Sequence, residues 1–298
     1  MSLSTAPVIL EVALNGSSRQ TSNPNVPVSV EELTADALIC LEAGAQIIHQ
    51  HDDLGRPGEL GGASPEQMAD KAAQFYRGVY KKFEGAFLYP TSNWPGDIES
   101  RWGHQVILAE KHLLRMAYVD PGSVNLAGFA HDGRPRIDSS MVYKHSFADI
   151  EWMLEQCRSF KLAPNMAIFE PGFLRAALAH EKAGSLPPGT FIKLYFTDRL
   201  TFGFPPTKAA LNAYLELLAE SSLPWAVAVL GGDVIKGGMA RWALEAGGHL
   251  RVGLEDYAGS EKPSNLEIVE SAIALCREVG RPLATRAETA TILGVARY

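Results

Sequence analysis

Cysteine is scarce in this chain. Cys40, Cys157 and Cys276 are the only three among 298 residues, and they lie far apart with no metal-ligand spacing. Each falls in an apolar, helix-like stretch, so reduced, buried thiols in a cytoplasmic protein are expected rather than a disulfide framework. Long hydrophobic runs are absent: none approaches the roughly 18 residues of a membrane-spanning helix. Residues 1–7 lack a basic stretch followed by an apolar one, so no secretory leader is expected there, only a short flexible start. Positive charge is in deficit, with 27 Lys and Arg against 34 Asp and Glu and a formal net charge of −7. That balance argues against nucleic acid and anionic membrane surfaces as partners, but not against a small anionic substrate, which feels only its pocket. There is also no low-complexity linker, no charge block and no composition shift that would mark a second domain.

Short β-branched and apolar runs alternate with longer helical patterns along the whole chain. Strands are expected over 8–13, 45–51, 86–90, 123–126, 163–168, 191–196, 225–230 and 250–253, the fourth being the weakest. Helices are expected over 30–43, 65–83, 98–117, 147–160, 171–183, 208–221, 234–246 and 265–279, with a short last one over 287–293. Pro27 and Ser29 mark the entry to the first helix, Ser64 caps the second and Asp233 is placed as a cap of the seventh. Eight strand–helix units in a chain of this length predict one α/β domain over 1–298, a (β/α)8 TIM barrel. An open doubly wound sheet is the runner-up, disfavoured because no Gly-x-Gly-x-x-Gly follows the first strand.

In such a barrel the chemistry collects at the C-terminal ends of the strands. His49-Gln50-His51 ends the second strand, with Asp52 and Asp53 immediately after. Residues two apart in a strand share a face, so both imidazoles project together and can chelate one divalent ion. The eighth strand supplies a third ligand in Arg251-Val252-Gly253-Leu254-Glu255-Asp256. Extended backbone there would put Arg251, Gly253 and Glu255 on one face, with Gly253 removing bulk between the charged side chains and Asp256 pointing elsewhere. His49, His51 and Glu255 then form a two-histidine, one-carboxylate site that suits zinc best, with manganese, iron or cobalt as alternatives. The plainer alternative is a pair of hydrogen-bonded rim histidines and a Glu255–Arg251 ion pair.

Other rim residues remain open between function and architecture. Asp256 is either a general base or the start of a turn, and Arg251 either grips a substrate carboxylate or forms a structural ion pair. Gly231-Gly232-Asp233 after the seventh strand offers backbone amides to a phosphate or pantetheine group, although glycine pairs in such loops also serve sterics alone. Asn15, in the loop after the first strand, and Thr91-Ser92-Asn93, after the third, could bind substrate oxygens or simply cap turns. His104, His112, His131, His145, His180 and His249 have no partner at metal spacing and are expected to be structural or exposed.

Taken together these residues resemble the β-keto acid cleavage enzymes, whose founding activity is 3-keto-5-aminohexanoate cleavage. The resemblance runs through Ala13-Leu14-Asn15-Gly16, Asn23-Pro24-Asn25-Val26-Pro27-Val28, Ala43-Gly44-Ala45 into His49-Gln50-His51, and Asp53-Leu54-Gly55-Arg56-Pro57. It continues in Gly247 to Asp256, Ser264-Asn265, Ala284-Thr285 and Ile292-Leu293-Gly294. It implies a zinc-bearing barrel, assembled as a homotetramer, that condenses a β-keto acid with acetyl-CoA to give acetoacetate and a new acyl-CoA. On that resemblance His49, His51 and Glu255 are the metal ligands and Arg251 and Asp256 the substrate-activating pair, with a catalytic hydroxyl near Thr91 or Ser92. Asn15, Ser92, Glu170, Gly231 and Gly232 complete the expected substrate-binding set.

Two departures bear on the substrate. Gly16-Ser17-Ser18-Arg19 lacks the acidic residue that accompanies an amino-bearing substrate, and Asn165, Met166 and Ala167 replace an acidic pair before Glu170, whose role stays open. A neutral or anionic keto acid is therefore expected. An amidohydrolase-like hydrolase and a non-catalytic metal- or acyl-CoA-binding protein are the competing readings. The first would need further histidines after strands five and six, where there are none.

Overall fold

The computed structural model describes residues 5–52, 63–93, 96–138 and 140–295. Among the described residues ten strands are formed: β1 (Leu10–Ala13), β2 (Ile47–Gln50), β3 (Phe87–Pro90), β4 (Met116–Tyr118), β5 (Val124–Leu126), β6 (Met141–Tyr143), β7 (Ala163–Ile168), β8 (Phe191–Phe196), β9 (Trp225–Val229) and β10 (His249–Val252). Between and after them lie α1 (Val30–Ala43), α2 (Pro65–Tyr80), α3 (Ile98–Glu110), α4 (Phe147–Phe160), α5 (Pro171–Lys182), α6 (Lys208–Leu217), α7 (Met239–Glu245), α8 (Asn265–Val279) and α9 (Arg286–Leu293).

Eight parallel strands run in the order β3-β2-β1-β10-β9-β8-β7-β4. The edge strands β3 and β4 pack on one another, so the sheet curls into a nearly closed (β/α)8 barrel. Helix starts follow the sequence closely. Ser29, Ser64, Ser146, Ser264 and Thr285 each cap a helix in a reciprocal box with the residue three places on. The apolar stripes of these helices and the outward faces of the strands make one continuous core, in which Cys40, Cys157 and Cys276 are buried and unpaired. Arg281 ties down the chain start, its Nε donating to the Ala6 carbonyl at 2.9 Å.

The expected fourth strand is corrected. Residues 124–126 are extended, but they pair antiparallel with β6 as a separate hairpin. The barrel's fourth strand is β4, whose first two residues fall at the end of the helix expected over 98–117. That helix stops at Glu110, and His112 (φ 56°) turns the chain back. The expected helix over 234–246 is shorter too. Asp233 Oδ1 accepts from the Ile235 and Lys236 amides, capping a turn, and α7 begins only after Gly238.

Glu255 does not lie on an extended strand. The strand ends at Val252, and Gly253 (φ 127°) sends the chain into a turn over the end of β1. A Cβ at Gly253 would stand 2.2 Å from the Ala13 carbonyl oxygen, the same oxygen that accepts the Glu255 N–H at 3.2 Å. Gly253 is therefore required by positive φ and close backbone approach, not by the need for space between two side chains. Gly253→Ala is expected to destabilise the fold by roughly 3 kcal/mol, read as a lowered Tm, because strain and overlap add there. Gly172→Ala, where an added Cβ meets nothing within 4 Å, is the matched control. Equal Tm values for the two variants would contradict this account of the turn.

Candidate active site

Strand register brings the polar residues together. Glu11 pairs with Arg251 across β1 and β10, Ala13 with His49 across β1 and β2, and His49 with Tyr89 across β2 and β3. Glu11, His49, Tyr89, Lys193 and Arg251 are all buried polar or aromatic residues of barrel strands and all converge on one end of the barrel.

His49 Nε2 lies 3.3 Å from Glu255 Oε2, and His51 Nε2 lies 3.5 Å from Glu255 Oε1. Ligand atoms of His49, His51 and Glu255 all fall within 4.8 Å of one another, the one such group of three among the described residues. His49 Nδ1 faces the Tyr89 carbonyl at 3.2 Å, which favours the tautomer with the proton on Nδ1 and leaves the Nε2 lone pair facing the cluster. Burial holds the His49 imidazole well below its ordinary pKa despite Glu255, so the ring is neutral, as a metal ligand must be. Burial alone would raise the Glu255 carboxyl, but Arg251 and both histidines hold it well below the usual range. Glu255 Oε2 is buried and receives no hydrogen bond. Two imidazoles and an orphaned carboxylate oxygen gathered within 4.8 Å fit a divalent cation. The contribution of a cation there would be Lewis acidity toward a substrate oxygen.

Arg251, fully buried, organises the floor. Its Nε and Nη2 bind the two Asp256 oxygens at 2.8 and 3.3 Å, Nη1 binds Glu11 at 2.8 Å and the Tyr89 hydroxyl at 3.1 Å, and Nη2 lies 3.0 Å from Glu255 Oε1. Four guanidinium N–H directions thus donate to protein, and Nη2 also faces Glu255 in an ion pair. Burial raises the Asp256 carboxyl, with Arg251 opposing and Glu255 adding to the rise. Asp256 does not point away from the cluster, as the extended reading had it; the turn folds its carboxylate back onto Arg251. It lies beside the cavity at the histidine–glutamate cluster rather than on its wall.

The other expected site residues divide. Thr91 and Ser92 line the cavity. Ser92 Oγ donates to the Asn93 carbonyl at 3.1 Å and accepts from the Tyr118 hydroxyl at 2.9 Å, whereas the Thr91 hydroxyl has no protein partner among the described residues. Asn15 is fully buried behind the site. Its Nδ2 donates to the His51 carbonyl at 2.8 Å and its Oδ1 accepts the His51 N–H at 2.9 Å, so it holds the His51 backbone and is not on the cavity wall. Gly231 and Gly232 both spend their amides on the Asp256 carbonyl, at 2.8 and 3.2 Å, and so brace the Glu255–Asp256 turn instead of presenting a free anion nest. Glu170 accepts the Gly203 N–H at 2.9 Å, pinning the loop after β8, and is not on the cavity wall. His104 and His249 are structural, bonded to the Thr91 carbonyl and the Ile9 N–H respectively. Asp53 and residues 54–57 lie outside the described residues.

Sequence reasoning missed Glu11, Asp120, Lys193 and Tyr195. Glu11 is held at a pKa of about 2: burial pushes it up, but Lys193 and Arg251 beside it, with hydrogen bonds from Tyr89 and Asn165, pull it further down. Lys193 Nζ donates to the Tyr89 hydroxyl at 2.7 Å, and burial lowers its pKa. Asp120 accepts from the Tyr143 hydroxyl and, at 3.0 Å, from the Ala167 N–H. The available signal was a lone charged residue inside an apolar strand run, Glu11 in 9–13 and Lys193 in 191–196. Such a residue either faces a barrel interior with a partner or does not survive burial.

Comparison with known proteins agrees with this geometry. Residues 7–295 match the family model described as beta-keto acid cleavage enzyme. The chain is similar to a 3-oxoadipate:acetyl-CoA acetyltransferase of Cupriavidus necator, 29% identical over 301 residues, covering 98% of this chain and 96% of that protein. It is also similar to a 3-keto-5-aminohexanoate cleavage enzyme of Acetoanaerobium sticklandii, 26% identical over 287 residues, covering 92% and 93%. Among solved structures, apo ObcA superposes with a TM-score of 0.65 at 16% identity over 92% of this chain, which spans 66% of ObcA. A type I 3-dehydroquinate dehydratase of Clostridium difficile gives 0.55 at 8% identity over 93% of this chain and 96% of that one. Those likenesses establish the barrel, and the match across nearly all of its length establishes that this chain belongs to the β-keto acid cleavage enzyme family.

Proposed function

We propose that the protein is a divalent-metal-dependent acyltransferase, with zinc as its ion, that condenses a β-keto acid with acetyl-CoA and releases acetoacetate and a new acyl-CoA. The observation that carries this reading is the convergence of His49, His51 and Glu255 beside an Arg251 already paired with Glu11, Glu255 and Asp256. Arg251 is then a positioning cation and not a substrate clamp. It fixes the two neighbouring carboxylates in different roles, Glu255 toward the histidines and Asp256 as the group that takes a proton.

The proton comes from the carbon between the two carbonyls. The resulting carbanion forms a C–C bond to the acetyl carbonyl of acetyl-CoA, and the CoA thiolate leaves. That thiolate adds to the ketone carbon of the original acid, the bond between this carbon and its α-carbon breaks, and the departing acetoacetate recovers the proton from Asp256. The chain of bonds balances without an enzyme nucleophile, consistent with three cysteines that are all buried in the core. Thr91, on the cavity wall with no hydroxyl partner among the described residues, is the residue we assign to the substrate carboxylate.

Asp120 provides a second reading of the base. It is on the cavity wall, which Asp256 is not, and burial raises its carboxyl despite the Tyr143 hydroxyl. We also read the protein as a cytoplasmic homo-oligomer, the unpaired cysteines fitting a reducing compartment and the tetramer resting on family resemblance. The reaction is tested by measuring acetoacetate from acetyl-CoA and a panel of β-keto acids. Formation that stops on chelation and returns with added zinc supports it. Turnover that is independent of CoA would instead favour a hydrolase.

A further inference from the structure

The cavity beside the metal-ligand triad, about 180 Å³, crosses the barrel mouth to a wall of different character. Leu126 and Met141 reach it from the β5–β6 hairpin, Ala167 and Phe169 from the end of β7, and Tyr195 from β8. Behind them Ala167, Tyr195, Phe202 and Ala228 form a second apolar cluster, separate from the main core, with Leu126 and Phe169 packed on it. In the reaction proposed above, the carboxylate and ketone of the substrate stay near the triad and Thr91, so the rest of the acyl chain must lie along this wall.

Among the described residues every charge on the wall already has a protein partner, so none is dedicated to a charged chain end. The two cations among them are Arg251 and Lys193. Arg251 is held by Glu11, Tyr89, Glu255 and Asp256, and Lys193 binds the Tyr89 hydroxyl, lies 3.5 Å from Glu11, and is stacked over the rings of Tyr89 and Tyr195 at 4.9 and 5.7 Å. Of the wall carboxylates, Glu255 faces the histidines, and Asp120 accepts from Tyr143 and Ala167. Within this network two cations face four carboxylates, Glu11, Asp120, Glu255 and Asp256, a deficit that a divalent ion at the triad would only balance, leaving no positive excess for a second substrate carboxylate. A chain end bearing either sign would be desolvated without a dedicated partner, which is costly.

We infer that the pocket takes a β-keto acid whose acyl chain ends in an uncharged hydrocarbon group, unlike the dicarboxylate and amino substrates that the names of its relatives carry. This rests on the acyl-transfer reading, and the test separates the two. With zinc-loaded enzyme and acetyl-CoA, kcat/KM for 3-oxohexanoate is expected to exceed that for 3-oxoadipate and for 3-keto-5-aminohexanoate by at least about 100-fold. Equal or better turnover of either charged acid overturns the inference and leaves the reaction standing. If no acid gives acetoacetate, the reaction fails instead. Calorimetric binding of the same three acids to the zinc-loaded protein then still ranks the chain ends, and tighter binding of a charged one overturns the inference. Leu126→Arg places a cation on the wall from a half-buried hairpin position. It is expected to raise kcat/KM for 3-oxoadipate and lower it for 3-oxohexanoate by about 10-fold each, with Leu126→Met as the folded control. An unchanged ratio between the two acids in Leu126→Arg, with native zinc content, would contradict the placement of the chain end against Leu126.

Discussion

His49→Ala is expected to remove bound metal and activity together. The imidazole is oriented from both sides, by the Tyr89 carbonyl at 3.2 Å behind it and by Glu255 at 3.3 Å in front. Its removal leaves one histidine and one carboxylate, fewer than the three protein ligands of an ordinary catalytic zinc site. After dialysis, metal content by elemental analysis is expected to fall below about a tenth of wild type, and acetoacetate formation by at least about 1,000-fold. The lost ring also stacks on Tyr89 at 4.5 Å, so a small fall in Tm accompanies the change. Full metal occupancy in a folded His49→Ala protein would remove His49 from the ligand set, and full activity without metal would remove metal from the reaction.

Asp256→Asn is expected to do the opposite with metal. Glu255, His49 and His51 are untouched, and Arg251 still binds Glu11 and Glu255, so zinc content stays near wild type. The amide cannot take a proton at neutral pH and can offer the guanidinium only one oxygen in place of two. A fall in kcat of at least about 100-fold, with KM little changed, is the expected kinetic signature of a lost general base. Breaking one side of a buried ion pair also costs stability, about 3 kcal/mol by analogy with other buried pairs, so rates are read at a temperature where metal content confirms a folded site. Asp120→Asn is the informative companion. If it costs more in kcat than Asp256→Asn, the proton goes to the carboxylate on the cavity wall, and Asp256 serves only to hold Arg251.

The barrel was legible in the sequence because its units repeat. Apolar strand runs, Ser or Thr caps and helical stripes recur, and each carries local information. The fourth strand was not legible because local information does not name a partner. Residues 124–126 are extended, as their composition suggests, yet their partner is β6, while the three-residue β4 is too short to show a period of its own. The shared direction of His49 and His51 was readable from His49-Gln50-His51 because strand alternation is a local rule. Glu255 does lie beside the two histidines, but a glycine turn brings it there in place of the expected extended backbone. Asp256 was misdirected for the same reason. Lys193, Glu11 and Asp120 stayed hidden because their meaning lies in one another: a buried lysine on β8, a glutamate on β1 and a carboxylate after β4 are neighbours only once the sheet has curled. Asn15, Gly231 and Gly232 carry the converse lesson. Polar and glycine residues at a rim look like substrate contacts in sequence, and here Asn15 holds the backbone of His51 while Gly231 and Gly232 hold that of Asp256.

Label transfer tests the central claim most directly. Zinc-loaded protein is incubated with a β-keto acid and acetyl-CoA carrying ¹³C at both acetyl carbons, and the products are read by NMR. Acyl transfer places both labels in acetoacetate, at its ketone and methyl carbons, and leaves the new acyl-CoA unlabelled. Label recovered only as free acetate, or unlabelled acid released without CoA, would show a hydrolase at this site and contradict the account.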